Sequence, residues 1–362
     1  MRFAAGRRIA TFELFLRHYS KWTKTNLYAR LLFTSHESQA DMKVLDLFSG
    51  AGGFSSGFIS NFDATHLAVD IDPSALLTFS ENCPGAITLQ RDIGATHSVE
   101  ILNELGSKPD IIIASPPCEE FSRANPDSDT PAAERIYGTG TARLLLDTIR
   151  VIGDLTPSVF LIENVAALLH RGGSEIVRKE FERVGIDNVW FNMVRAHQHG
   201  NPSKRLRVFI GNVKFNLPRG IPPQVMEAIG DLPFLGIDAL FAPSDHVANH
   251  DLHSLTEGWL KTIRRTRWRH GAKHFRASKT RTMPNWVRLA PDQVSTSIIG
   301  LSRYIHPFED RLLTVREHAR LMSYPDTFVF KGPTDRQYNQ VGESVPPLIS
   351  HLIAEEVQKH LE

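Results

Sequence analysis

The chain has 362 residues, of which 41% are hydrophobic and 22% are charged, and its formal net charge is +1. This composition is typical of a globular protein with about two domains. The near-zero net charge excludes a polycation that would bind nucleic acid with its whole surface, so any such binding requires a local basic patch.

Residues 1–41 precede the first clear strand pattern. The basic start of the chain (Arg2, Arg7 and Arg8) lacks the apolar segment of a secretory signal, and no run of about 18 apolar residues could span a membrane. Two cysteines cannot form a disulfide framework, so we expect a cytoplasmic protein. Because Met42 opens an apolar strand after a polar run, we expect residues 1–41 to be an extension; a helix packed on the domain is the alternative.

Apolar runs alternate with helical segments from Met42 to about Asn212. Residues 43–48, 66–69, 110–114 and 159–162 have the composition of buried parallel strands. Residues 73–82, 141–154 and 173–184 have the pattern of helices between them. Strands that alternate with helices predict a doubly wound α/β sheet over residues 42–212.

The pattern changes between residues 213 and 292, where prolines interrupt any periodicity and histidines and arginines accumulate. We predict a second, smaller and irregular domain there. Helical texture returns over residues 314–324 and at the C-terminus. One apolar face of the last helix is predicted from a recurrence every four residues, at Val345, Ile349, Ile353, Val357 and Leu361.

A glycine-rich turn follows the first strand, at residues 46–54, and indicates a close approach of the backbone to a ligand. Ser55 stands where the dinucleotide fingerprint has its third glycine, which counts against a pyrophosphate cofactor. Asp70 ends the second strand and can accept ribose hydroxyls. Asp92 and Ile93 follow the third strand and could bind an adenine amino group and ring. The pattern therefore favours an adenosyl ligand without phosphates.

A nucleophile is predicted at Cys118, because Pro116 and Pro117 fix the chain directly after the fourth strand. Carboxyl ends of parallel strands carry the ligand chemistry in such sheets. Cys83 has no such context and is interpreted as a small buried hydrophobe. Glu163 closes the fifth strand. Arg205 and Arg207 lie on one face of the next strand, where they could bind an anion or a polarised carbonyl.

Nine cations occupy residues 261–281 without one acid, with aromatic residues between them. This density in a chain of near-zero net charge favours contact with phosphates. The histidines of the same region have no metal-ligand spacing and no cysteine nearby, so we expect no metal site. Residues 119–140 form a long polar stretch that contains Arg123 and Asn125, and we predict a loop that closes over a substrate.

Six motifs in one order resemble those of the cytosine-5 DNA methyltransferases, from Met42 to the C-terminus: DLFSGAGGF, SPPCEEFS, ENV, KRLRV, LTVREHARLMSYP and QVGESVPP. The resemblance implies S-adenosylmethionine as cofactor, duplex DNA as partner, and a flipped-out cytosine that is attacked at carbon 6 by the Cys118 thiolate. Glu163 would act at ring nitrogen 3 and Arg205 at the exocyclic oxygen. The implied cofactor residues are Phe48, Ser49, Gly50, Gly52, Gly53, Phe54, Asp70, Ile71, Asp92, Ile93, Pro116, Glu343, Ser344 and Val345.

The same resemblance implies that residues 213–292 are a target-recognition domain and that residues 293–362 return to the catalytic domain. DNA contacts are expected from Arg123, Asn125, Arg207, Arg264, Arg265, Arg267 and Arg269. We expect a monomer that protects host DNA alongside a cognate restriction endonuclease.

Three departures from the family pattern occur: Ala114-Ser115 in place of glycines, Ser203 in place of glutamine, and Glu343 in place of asparagine. The last two keep open a protein with impaired catalysis, and three alternatives are considered in all. An enzyme of the same chemistry on RNA is one alternative. A catalytically impaired DNA-binding protein is another. A nicotinamide oxidoreductase on a similar sheet is the third, and the Ser55 and Pro-Pro-Cys features argue against it.

Overall fold

The computed structural model describes residues 42–121, 130–235, 247–252, 254–276, 282–300 and 303–362. The predictions for residues 1–41, for Arg123 and Asn125, and for the last two cations of the basic run lie outside the described residues. Ten strands occur in the described part: β1 Lys43–Leu47, β2 Thr65–Asp70, β3 Ile87–Gln90, β4 Ile111–Ala114, β5 Val159–Val165, β6 Trp190–Arg195, β7 Leu206–Gly211, β8 Gly271–Arg276, β9 Thr282–Arg288 and β10 Tyr304–Ile305.

The helices of the described part connect these strands. They are α1 Ser55–Asn61, α2 Pro73–Asn82, α3 Ser98–Leu105, α4 Ala132–Ile136, α5 Leu144–Leu155, α6 Gly173–Arg183, α7 Val225–Ile229, α8 Glu257–Arg265, α9 Val315–Leu321, α10 Thr334–Glu343 and α11 Pro347–Leu361. None of them is both long and apolar enough to cross a lipid bilayer.

Seven of the described strands form the main sheet, in the order β3-β2-β1-β4-β5-β7-β6. The first five are parallel, whereas β7 runs antiparallel to both β5 and β6. The direction of β7 determines which edge of the sheet its first residues reach. The amino end of β7 lies at the edge of the sheet where β1, β4 and β5 have their carboxyl ends.

Both faces of the sheet are buried, because neighbouring residues of the central strands point into different cores. Helices α3, α5 and α6 cover one face, and Leu45, Ile112 and Phe160 pack beneath them. Helices α1 and α11 cover the other face, over Val44 and Ile113. The doubly wound α/β fold predicted from the sequence is therefore confirmed.

Local sequence signals account for several helix ends. Asp72 accepts a hydrogen bond from the Ser74 amide at 2.8 Å and is followed by Pro73, so α2 begins with a side-chain cap. Thr314 and Glu317 form a capping box at the start of α9, where the Thr314 amide donates to Glu317 at 2.7 Å.

The C-terminal helix α11 packs on α1 as the periodicity predicts for Ile349, Ile353 and Val357, which are buried. Leu361 was expected on the same buried face, but it is 36% exposed because it is the last residue of the helix. Ser350 connects the two helices, since its hydroxyl accepts from the Gly57 amide at 3.1 Å and donates to the Phe54 carbonyl.

The region that the sequence marks as irregular contains regular structure. Strands β8 and β9 form an antiparallel pair, and β10 adds to β9 in parallel. Helix α8 covers this small sheet through Ile263, which packs with Ile305 and Leu312. Because β10 lies beyond residue 292, the small sheet extends past the predicted domain boundary.

Candidate active site

The glycine-rich turn after β1 has the backbone that its sequence requires. Phe48, Gly50 and Gly52 have φ values of 58°, 53° and 92°, in the left-handed region that favours glycine. Asp70 at the end of β2 fixes this turn, because its Oδ2 accepts the Gly50 amide and its Oδ1 accepts the Asp72 amide, each at 2.8 Å. A carboxylate has about four acceptor positions, so each oxygen keeps capacity for a ligand hydroxyl.

Two glycines of this turn allow close packing. A Cβ at Gly52 would lie 3.0 Å from the Phe79 ring. A Cβ at Gly53 would lie 2.5 Å from the Val345 carbonyl and 2.9 Å from Ser344. The C-terminal residues therefore lie against the turn, which is the arrangement that the resemblance implied for them. The Tyr324 hydroxyl also contacts the Gly53 position, a contact that its place in the LTVREHARLMSYP motif does not predict.

The residues after β2 and β3 differ in accessibility. Asp92 is exposed, and its Oδ1 accepts the Gly94 amide at 2.9 Å. Ile93 is only 2% exposed and packs in the core beside α3 and α5, so it presents little surface to a ligand. Ile71 is 62% exposed directly beside Asp70 and offers that apolar surface instead. Ile71 therefore presents more apolar surface beside Asp70 than Ile93 does.

Asp46 is a buried carboxyl group that the sequence analysis did not single out. Its Oδ2 accepts the Ser55 hydroxyl at 2.5 Å, and its Oδ1 has no hydrogen-bond partner among the described residues. Burial raises the pKa of Asp46 to about 8. Asp46 opens the DLFSGAGGF motif, but nothing in that motif shows that its carboxyl group is buried.

The segment after β4 is held at both ends. The Ser115 amide donates to the Leu47 carbonyl at 3.0 Å, and the Asn164 side chain donates to the Pro116 carbonyl at 3.3 Å. The Phe121 amide then donates to the Cys118 carbonyl at 3.0 Å. Cys118 is thus fixed between the central strands and a short turn, as the Pro-Pro lead predicts. Cys83 is buried beside Phe79, which confirms its interpretation as a small hydrophobe.

Glu120 and Arg135 anchor the next part of the loop. Glu120 Oε1 accepts from the Ala142 amide at 2.9 Å and from Thr141 at 3.0 Å. Arg135 donates to the Glu120 carbonyl at 2.9 Å and lies over the Phe121 ring at 4.9 Å. Both residues were missed by the sequence analysis, since nothing in their spacing marks the contact.

An acid and two arginines meet at the carboxyl edge of the sheet. Glu163 is 3% exposed, and its Oε1 lies 2.8 Å from Arg207 Nε and 4.0 Å from Arg205 Nη2. The antiparallel direction of β7 delivers both arginines to this edge. Arg207 was predicted to contact DNA, but its side chain is 13% exposed and paired with Glu163, so it belongs to this buried cluster.

Arg205 connects the cluster to the C-terminal part of the chain. Its Nη1 donates to the Ile298 and Gly342 carbonyls at 3.0 and 2.8 Å. Its Nε has no hydrogen-bond partner among the described residues and is a buried donor. Burial lowers the pKa of Arg205 below its usual value, but a guanidinium stays charged at neutral pH.

Opposing effects act on the Cys118 thiol. Burial raises its pKa above the usual value, and Glu163 and Glu119 act in the same direction. Arg207 and Arg205 act against them and favour the thiolate. Burial outweighs the two arginines, so the pKa of the Cys118 thiol stays above its usual value.

Glu343 is the departure from the family pattern that changes charge. Its carboxyl oxygen packs against Gly300, where a Cβ would lie 2.7 Å from Oε1. Burial raises the pKa of Glu343 to about 7, with Glu119 and Asp70 acting in the same direction and Arg205 opposing them. Glu343 therefore adds an acid that titrates near neutral pH beside the Asp70 turn.

The cations of residues 261–276 do not all face solvent as free charges. Arg264 lies 3.3 Å from Glu257 and 3.9 Å from Asp310. The structure shows no ion pair for Arg265, Arg267 or Arg269 within its described part, and all three are exposed. The first two line a cleft with Lys261, Thr262, Thr266 and His270. No cluster of three or more His, Cys, Asp or Glu suited to a metal ion occurs among the described residues.

Solved structures share this fold. A candidate DNA modification methyltransferase from an E. coli prophage superposes with a TM-score of 0.70 at 23% identity, covering 88% of this chain and 99% of that one. The S. pombe Dnmt2 methyltransferase gives a TM-score of 0.59 at 18% identity, covering 88% and 99%. The chain therefore shares the fold of these two methyltransferases.

Sequence comparison narrows this class to one family. Residues 42–233 and 236–359 match the family described as "C-5 cytosine-specific DNA methylase". A candidate type II methyltransferase of Methanocaldococcus jannaschii, M.MjaORF1200P, is 34% identical over 88% of this chain and 99% of its own length. The type II methyltransferase M1.HphI of Haemophilus parahaemolyticus is 33% identical, covering 87% and 86%. The chain belongs to the C-5 cytosine-specific DNA methylase family.

Proposed function

We propose that the protein transfers a methyl group from S-adenosylmethionine to carbon 5 of cytosine in a specific duplex DNA sequence. The observation that carries this proposal is the convergence of Cys118, Glu163 and Arg205 at one edge of the sheet, beside the Asp70 turn. A thiol, a carboxyl group and a guanidinium supply a nucleophile, an acid and an electrostatic stabiliser.

The turn after β1 fits an adenosyl ligand. Asp70 would accept the ribose hydroxyls, Asp92 the adenine amino group, and Ile71 would cover the ring. Phe48, Ser49, Phe54 and Pro116 would line the rest of the pocket, and residues 343–345 would close it. When bound, the cofactor supplies an electrophilic methyl group on a sulfonium. The protein residues hold it, exclude water and aim it at the base.

The chain's own residues act on the base. Once a cytosine is rotated out of the duplex, the Cys118 thiolate forms a bond to carbon 6, which makes carbon 5 nucleophilic. Glu163 donates a proton or a hydrogen bond to ring nitrogen 3, where electron density accumulates. Arg205 stabilises the exocyclic oxygen through its free Nε, while Arg207 orients Glu163. Carbon 5 takes the methyl group as the carbon–sulfur bond of the sulfonium breaks and leaves a neutral thioether. Solvent accepts the carbon 5 proton, Cys118 leaves carbon 6 as the thiolate, and nitrogen 3 returns its proton or hydrogen bond to Glu163.

Bisulfite sequencing of DNA from an expressing host tests the proposal directly, because it reports both activity and target. We expect methylated cytosines within one short sequence and none when Cys118→Ala is expressed. An unmethylated genome, or methyl transfer to RNA but not to duplex DNA, would contradict the proposal. We further propose a cytoplasmic monomer that protects host DNA from a restriction endonuclease, as the type II names of its relatives suggest.

Asp70→Asn is expected to weaken S-adenosylmethionine binding about 10-fold to 100-fold, because a charge-assisted hydrogen bond to the ribose is replaced by a neutral one. Asparagine keeps one acceptor oxygen, which can hold the Gly50 amide, but it loses the acceptor for the Asp72 amide, so thermal denaturation must show that the variant stays folded. Titration calorimetry measures the change. Asp63→Asn, at an exposed aspartate before β2, is the matched control. Equal affinity of both variants for the cofactor would remove Asp70 from the proposed pocket.

The exposed arginines of the recognition region are proposed to neutralise DNA phosphates. Replacing Arg265, Arg267 and Arg269 together with alanine should reduce the slope of log affinity against log salt by up to about 3, one unit for each lost phosphate contact. Arg264→Ala is the control, since Arg264 is already paired with Glu257 and Asp310. A triple variant with the wild-type slope would show that these side chains do not touch phosphates.

A further inference from the structure

Two aromatic side chains of the small sheet region face solvent together. Trp268 is 48% exposed and Phe308 is 61% exposed, and their rings meet edge to face with centroids 6.0 Å apart. Trp268 lies between α8 and β8, whereas Phe308 follows β10. Single exposed apolar residues need no explanation, but a contacting pair of large rings from separate loops forms an apolar surface suited to a partner.

A buried arginine fixes both loops. Arg288 at the end of β9 is 6% exposed and donates five hydrogen bonds to them. The acceptors on the Trp268 side are the carbonyls of Ile263 and Thr266, each at 2.8 Å. The acceptors on the Phe308 side are the carbonyls of His306 and Glu309 and the carboxylate of Asp310, at 2.9, 3.1 and 2.8 Å. The aromatic pair is therefore presented on a rigid base.

The chemistry of the pair favours stacking over hydrogen bonding. The indole nitrogen of Trp268 donates to the Pro307 carbonyl at 2.8 Å, so its polar group is already used. Phe308 has no polar atom on its side chain. The exposed parts of both rings can thus offer only apolar contact and π-stacking to a partner.

Positive charge surrounds the pair. Arg267 and Arg269 flank Trp268 in the chain, both exposed and without an ion pair in the part of the chain that the structure describes. The cleft that contains Arg265 and His270 continues the basic surface. An apolar tip bordered by unpaired cations is complementary to a polyanion that carries apolar stacked rings, which is the chemistry of duplex DNA.

We propose that Trp268 and Phe308 form an aromatic wedge that contacts the bases of the DNA target while the neighbouring arginines hold the phosphates. Inserted against a base step, the rings would replace base stacking that is lost when the duplex is distorted. This inference rests on the proposed function, because it assigns a base-contacting surface to the same DNA complex. By this proposal, Trp268 and Phe308 help the protein to distinguish its target DNA sequence from other sequences.

The test compares binding of the target duplex with binding of a scrambled duplex, over a range of potassium chloride concentrations. The target is taken from duplexes that the wild-type protein selects from a random pool, so it does not depend on methyl transfer. Trp268→Ala and Phe308→Ala should each weaken target binding roughly 10-fold, in line with the loss of one stacked base. Binding to the scrambled duplex and the salt slope should stay at wild-type values.

Trp190→Ala is the matched control, because Trp190 is 45% exposed at the amino end of β6, the opposite edge of the main sheet from Cys118. Phe308→Ala is the variant that should fold normally, since the exposed Phe308 ring contributes little to packing. Thermal denaturation checks that both variants are folded. Equal losses on both duplexes, or unchanged discrimination by both folded variants, would overturn the wedge. If the wild-type protein selects a target duplex but never methylates it, that result contradicts the proposed function. The wedge can then still be tested by the binding comparison.

Discussion

Cys118→Ser is expected to lower the rate of methyl transfer by about 10⁴-fold or more, the scale seen when a covalent nucleophile is removed. A serine hydroxyl is far less ionised at neutral pH than a thiol, so it cannot form the bond to carbon 6 at a useful rate. Binding of DNA and cofactor should persist, because the side chain is nearly isosteric. Transfer of tritium from labelled S-adenosylmethionine to duplex DNA measures the change.

The second cysteine provides the matched control. Cys83 is buried directly after α2, where it packs with Ala68 and Phe79, and Cys83→Ala should retain turnover. A duplex with 5-fluorocytosine at the target should become covalently attached to the wild-type protein when methyl donor is present, and should not attach to Cys118→Ser. Because burial raises the pKa of the Cys118 thiol, the trapping rate should increase as pH rises through the neutral range. Full methyl-transfer activity of Cys118→Ser would contradict the covalent mechanism.

Glu163→Gln is expected to reduce kcat by about 10²-fold to 10⁴-fold, the usual contribution of a positioned proton donor. Glutamine keeps the size of the side chain and can still contact Arg207, but it has no carboxyl proton to give to ring nitrogen 3. Single-turnover kinetics with saturating DNA and cofactor isolate this step from binding.

Glu317→Gln provides the comparison for the loss of a buried carboxylate. Glu317 lies on α9, is 1% exposed, and accepts two hydrogen bonds of 2.8 Å from the Arg311 guanidinium. Its replacement should lower the thermal stability of the protein while the folded fraction keeps its kcat. If the two glutamine variants had the same kcat, Glu163 would act through stability and not through chemistry.

Hydrophobic pattern predicted the central strands of the main sheet, because both faces are buried there and the runs of Ile112 and Leu161 are unbroken. It did not predict the edge strand β6, which is partly exposed. The direction of β7 could not be predicted, since a buried apolar strand reads the same in either direction. Sequence order of the motifs placed Cys118, Glu163 and Arg205 on neighbouring elements. Their separation in ångströms depends on how β7 pairs with β5, which is a property of the assembled sheet.

Partners of individual side chains were the least predictable feature. Arg207 and Arg264 looked like DNA contacts because they stand in basic runs, yet Glu163 and the pair Glu257 and Asp310 neutralise them. Glu163 and Asp310 are far in sequence from the arginines they pair with. Glu257 is close to Arg264 in sequence, but other residues at a similar spacing could have been its partner. Ile93 likewise looked available because it follows a strand end, but the packing of α3 and α5 covers it.

Ser350 contacts Gly57 and Phe54, which lie 293 and 296 positions before it in the chain, respectively. During synthesis, the turn after β1 leaves the ribosome long before its covering residues 344–350 exist. The crevice therefore stays incomplete until residues 344–350 have also been made. Long-range closure of this kind slows folding, and under the proposed function it delays the earliest moment at which a newly made molecule can bind its methyl donor.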